Sequence, residues 1–118
     1  MTYKSDLLIE NTIFKDAFYF VSCFPEKPVI IRNCIFEGAF ICEFTAFINN
    51  FTFIENICLN DFHFNDCNFY GQTHIENNIL RKGTDIFDYD GQPDENTFHN
   101  IPFIENNIGL QKRNTGIL

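Results

Sequence analysis

Ile9-Glu10-Asn11, Ile31-Arg32-Asn33, Ile54-Glu55-Asn56, Ile75-Glu76-Asn77 and Ile104-Glu105-Asn106 are one phrase written five times along the chain, with the asparagines 22, 23, 21 and 29 residues apart. A period of this size in a 118-residue chain rich in Phe, Ile and Asn marks a solenoid, in which each repeat buries its apolar side only by stacking on the next. The columns around the phrase stay constant. Two residues after the asparagine stand Ile13, Ile35, Cys58, Ile79 and Ile108, and three after it Phe14, Phe36, Leu59, Leu80 and Gly109. Parallel in-register rungs produce such columns because each side chain lies about 4.8 Å from its counterparts above and below.

Composition agrees with strands. There are 16 phenylalanines and no tryptophan, and the β-branched and aromatic share favours a pleated backbone. No window shows apolar residues spaced three and four apart, and no apolar run is long enough to span a bilayer. The expectation is one all-β domain over residues 1–118, a parallel β-helix of about four to five coils. The segment Met1–Asp6 lacks the apolar core of a secretory signal, which points to the cytoplasm. Five cysteines, an odd number with no C-x-x-C pair, read as small buried thiols rather than a disulfide framework or a zinc site.

The asparagine column has its own physics. Asn adopts left-handed dihedrals at a tight bend, and stacked amides hydrogen-bond along the column, so Asn11, Asn33, Asn56, Asn77 and Asn106 are expected to form a structural ladder at one corner.

A finer period runs between the asparagines. Ile9, Phe14, Tyr19 and Phe24 are five apart, as are Ile31, Phe36 and Ile41, and Ile54, Leu59, Phe64 and Phe69. Small residues stand two positions before several of these: Thr12, Ala17, Ser22, Cys34, Ala39 and Cys67. This pattern, over roughly residues 7 to 80, resembles the pentapeptide-repeat family, whose right-handed quadrilateral β-helix points both positions inward. Repeats of 21 to 23 residues, and Ile57, Phe62 and Phe44 at small-residue positions, depart from it. The second resemblance is to the right-handed β-helix of the pectate-lyase type, which has longer coils and an asparagine ladder. The two differ over Ile13, Ile35, Cys58, Ile79 and Ile108: outward as an apolar stripe in the first register, inward in the second.

Two segments break the rhythm. Pro25-Glu26-Lys27-Pro28 reads as a short insertion between the first two coils. The larger break, 81–103, reads as a projecting loop whose Asp88, Tyr89, Asp90, Asp94 and Glu95 are candidate protein contacts. Its likeness to a calcium loop fails on inspection: aligning Gly91 with the required glycine puts Ile86 and Thr97 where acidic ligands belong.

Net charge is −8, and residues 33–111 carry twelve acids against Arg81 and Lys82 alone. That balance excludes binding of nucleic acid through its phosphates. Aligned on the phrase, Glu10, Arg32, Glu55, Glu76 and Glu105 share a column, so Glu55, Glu76 and Glu105 are expected on successive rungs as an acidic ribbon. No nucleophile elbow, H-E-x-x-H or phosphate loop occurs, and the reading assigns no catalytic, cofactor or metal residue. The expected function is therefore a non-enzymatic, acidic protein-binding module: an inhibitor or immunity-type partner of a basic nucleic-acid-handling enzyme that imitates a nucleic acid. The pentapeptide resemblance permits this, since some members of that family are DNA-shaped topoisomerase inhibitors. The alternative is self-assembly, with open ends favouring a homodimer, and a carbohydrate-active β-helix is third.

Overall fold

The computed structural model describes residues 6–87 and 96–109. Within them the protein is an all-β solenoid with four faces and only parallel strand pairs. The first face stacks β1 (Leu7–Glu10), β4 (Val29–Arg32), β8 (Phe51–Ile54), β12 (Thr73–Glu76) and β15 (Phe103–Glu105). The second stacks β2 (Ile13–Phe14), β5 (Ile35–Phe36), β9 (Ile57–Cys58) and β13 (Ile79–Leu80). The third holds β3 (Phe18–Val21), β6 (Phe40–Glu43) and β10 (Phe62–Asn65), and the fourth β7 (Ala46–Phe47), β11 (Asn68–Phe69) and β14 (Thr97–Phe98). About three turns carry pairing on all four faces, fewer than the four to five coils expected from the phrase count.

The corners reveal a shorter period than the phrase does. Asn11, Ser22, Asn33, Phe44, Glu55, Asp66 and Asn77 all have φ between 51° and 57°, and they recur every eleven residues. Each turn is thus two half-turns, each built from a four-residue strand, a left-handed corner, an inward polar or small residue and a two-residue strand. Gly, Asn and Asp tolerate that region, whereas Phe44 and Glu55 there carry about 1–2 kcal/mol of local strain each. The inward positions alternate spacings of five and six, as in Ile31, Phe36 and Cys42, all buried. A strict five-residue period drifts off by one in every half-turn, which is why Tyr19, Phe24, Ile41, Ile54 and Leu59, read as core centres, lie on the outside.

The same counting corrects the asparagine column. Arg32 pairs with Ile54, and Ile54 with Glu76, so the third copy of the phrase is slipped by one residue. Glu55, not Asn56, occupies the corner shared by Asn11, Asn33, Asn77 and Asn106. Along this column one side-chain amide pair is formed among the described residues, Asn33 Nδ2 donating to Asn11 Oδ1 at 2.6 Å. The continuous ladder lies one residue further on, inside. Asn56 Oδ1 accepts from Cys34 N–H at 2.9 Å, Asn78 Oδ1 from Asn56 N–H at 2.8 Å, and Asn107 Oδ1 from Asn78 N–H at 2.9 Å. Their amide nitrogens donate to the carbonyls of Ile31, Phe53 and Ile75. A second polar column fills the opposite corner, where Thr45 accepts from Cys23 N–H and Asn96 from Cys67 N–H. Buried donors are thereby satisfied without water.

Between these columns the core is aromatic. Phe14 stacks on Phe36 at 4.9 Å between ring centres, and Phe47, Phe69 and Phe98 form a file at 5.2 and 4.7 Å. Each fully buried Phe contributes about 1.5–3 kcal/mol, with about 0.5–1.5 kcal/mol more per well-placed ring pair.

The first expected interruption is absent, and the second adds the expected seven or so residues over a shorter stretch than 81–103. Pro25–Pro28 is not an insertion, because the 22-residue offset already holds at Cys23–Thr45 and Leu7 N–H donates to Pro28 O. Pro25 lacks the N–H a strand there requires, so the first rung of the fourth face stays unassigned although Pro25 O accepts from Ile48 N–H. In the 81–103 segment, Thr84, Asp85 and Ile86 are buried in the stack and Thr97–Phe98 is a strand. The offset rises from 22 at Thr84 to 29 at Asn96, so seven residues are inserted between them. Asp88, Tyr89, Asp90, Asp94 and Glu95 lie outside the described residues.

Candidate interaction surface

The two-residue strands of the second face leave one outward side chain per rung. In register these are Ile13, Ile35, Ile57, Ile79 and Ile108. Five isoleucines therefore stand in file facing outward, with Ile13 56%, Ile79 42% and Ile108 67% exposed. The outward register of the column is the observed one, with a change of member: the slip puts Cys58 in the core and Ile57 in the stripe. Parallel stacking of identical β-branched side chains makes a flat apolar strip about 19 Å long at the normal rung spacing.

Charged columns border the strip. Across the corner on the first face run Glu10, Arg32, Ile54, Glu76 and Glu105. One pleat further along the second face run Lys15, Glu37, Leu59 and Arg81, all exposed, with Glu37, Leu59 and Arg81 donating backbone N–H groups to the rung before. Arg32 Nε bonds Glu10 Oε2 at 2.7 Å, an exposed pair of small stabilising value.

The expected ribbon of Glu55, Glu76 and Glu105 is only partly assembled. Glu76 and Glu105 are partners on adjacent rungs, but Ile54 takes the place below them and Glu55 turns into the corner, its N–H donating to Glu76 O at 3.0 Å. No ion pair among the described residues neutralises any of the three.

Sequence reasoning missed a polar cluster on the third face. His63 Nδ1 lies 2.6 Å from Asp85 Oδ2 and its Nε2 3.3 Å from Glu43 Oε2, while Asp85 Oδ1 accepts the N–H of Phe64 at 2.8 Å. The 20- to 22-residue spacings are the signal, legible only once the register is known. Both ring nitrogens are engaged on opposite sides, so the group does not converge on a metal, and no set of three or more His, Cys, Asp or Glu does so among the described residues. A groove of about 440 Å³ beside the last rung of the fourth face is walled by Phe87, Phe98, His99 and Ile101, with His99 the one titratable side chain among its described lining residues.

The thiols are not exposed nucleophiles. All five are free and buried. Burial pushes Cys58 up to about 12 and Cys42 well above the ordinary thiol value, while the hydrogen bond with Cys42 draws Cys67 lower inside the sealed core.

Fold and surface together define the class: a parallel β-solenoid with an apolar file on one outer face. No family model, curated protein or solved structure matches the chain. No described helix is long and apolar enough to cross a membrane.

Proposed function

We propose that this protein is a non-enzymatic binding module of the cytoplasm whose working surface is the second face with its charged borders. The observation that carries the reading is the file of Ile13, Ile35, Ile57, Ile79 and Ile108. Stacking alone asks nothing apolar of an outward position, and contiguous exposed apolar surface marks interaction sites. Free buried thiols suit a reducing compartment. The test is capture of partners from host lysate by the wild type and by an Ile35→Asp, Ile57→Asp variant. Loss of capture in the variant is expected, and equal capture contradicts the reading.

A second reading keeps the acidic inhibitor of a basic nucleic-acid-handling enzyme, acting as a nucleic-acid mimic on a pentapeptide-repeat-like scaffold. The neighbouring Glu76 and Glu105, with no ion pair among the described residues, favour it, although Ile54 and the Glu10–Arg32 pair interrupt the ribbon. Under this reading, capture weakens steeply with salt and is lost in a Glu55→Gln, Glu76→Gln, Glu105→Gln variant.

A further inference from the structure

We infer that the partner of the second face is a second copy of this chain, docked side by side with the two solenoid axes parallel; this rests on the reading of that face as the binding surface. The order of charges on the two borders of that face points to such a partner. Read rung by rung, the first-face border is Glu10, Arg32, Ile54, Glu76, and the far border is Lys15, Glu37, Leu59, Arg81. On these four rungs each member of one border is the complement of the member on the other: acid with base, base with acid, apolar with apolar, acid with base; the fifth rung adds Glu105 with no counterpart among the described residues.

A two-fold axis parallel to the solenoid axis uses that pattern. It lays the isoleucine file of one copy on that of the other and exchanges the borders, leaving rungs level. Glu10 then meets the partner's Lys15, Arg32 the partner's Glu37, Ile54 the partner's Leu59, and Glu76 the partner's Arg81. Because the contact is isologous, each pair occurs twice. Turning one copy end over end with the two files overlaid instead sets Glu10 against the partner's Glu105 at two places and keeps only Arg32 against the partner's Glu76 and Glu37 against the partner's Arg81, so the charges favour the parallel arrangement, with three kinds of attractive pair and no repulsive one. In-chain stacking accounts for Arg32, which bonds Glu10 of its own copy, but not for Arg81: the column neighbours of Glu76 are Ile54 and Glu105, neither of which requires a base at position 81.

The file is about 19 Å long by rung spacing, which places the contact at the small end of specific interfaces and makes the dimer weak and concentration-dependent. The test is sedimentation velocity from micromolar to millimolar protein, using Glu76→Arg and Arg81→Glu, both surface changes. Each variant alone brings like charges together at two places and is expected to weaken the dimer by about tenfold or more. Mixed in equal amounts, the two variants restore attraction at both places and associate as tightly as the wild type. A wild type monomeric throughout, or a mixture no tighter than its components, overturns the dimer. A monomeric wild type leaves the face-binding reading intact; that reading fails separately if lysate capture ignores Ile35→Asp and Ile57→Asp.

Discussion

Asn78 Oδ1 accepts the backbone N–H of Asn56 at 2.8 Å from inside the stack, where Asn78 is 1% exposed. Its neighbour Asn77 belongs to the repeated phrase, yet it is an exposed corner with φ 57°. The two asparagines therefore differ in cost. Asn78→Ala strands the Asn56 N–H and the Phe53 carbonyl in the core and is expected to lose about 2–4 kcal/mol in urea unfolding, whereas Asn77→Ala loses about 1 kcal/mol.

The corner strain is relievable. Phe44 is half exposed with φ 51° and Glu55 is exposed with φ 56°. Phe44→Asn and Glu55→Asn are each expected to raise stability by up to about 1 kcal/mol, read as a higher unfolding midpoint at unchanged slope.

Gly38 sits against the preceding rung so closely that a Cβ there would meet the backbone carbon of Asp16 at 2.5 Å. Since backbone must move to admit it, Gly38→Ala is expected to cost about 1–3 kcal/mol in thermal or urea unfolding.

Buried thiols set the alkaline limit. Burial raises Cys58 to about 12 in the folded state, so above pH 9 the unfolded chain releases this proton while the folded one keeps it. The unfolded state then binds fewer protons, and stability falls as pH rises from 9 towards 12. Cys58→Ala is expected to flatten this decline by about 1.4 kcal/mol per pH unit. An unchanged slope would remove Cys58 from the account.

Much of this architecture is legible in the sequence, and its errors share one cause. The phrase found the corners at Asn11, Asn33, Asn77 and Asn106, because those turns spend an asparagine on the left-handed bend. It misplaced the third turn because the next position, which faces inward, also suits asparagine: Asn77-Asn78 and Asn106-Asn107 fill both, while Glu55-Asn56 fills only the inner one. The eleven-residue half-turn stayed hidden because its other corners are Ser22, Phe44 and Asp66, which share a backbone conformation but no chemistry. One residue of slip transferred the outward place from Cys58 to Ile57 and took Glu55 out of the acidic column. The isoleucine file was visible as a column, but its direction was not, since a two-residue strand is too short for alternation to fix a face. The His63–Asp85–Glu43 contacts join residues from successive turns and had no local motif to announce them.

The register of the third turn carries both the fold and the proposed surface, and methyl NOEs on isoleucine-labelled protein read it directly. An unbroken walk of cross-peaks is expected from Ile13 through Ile35, Ile57 and Ile79 to Ile108, with all five methyls reached by a soluble relaxation agent. A walk that breaks at Ile57, with Cys58 beside Ile35 in its place, would contradict that register.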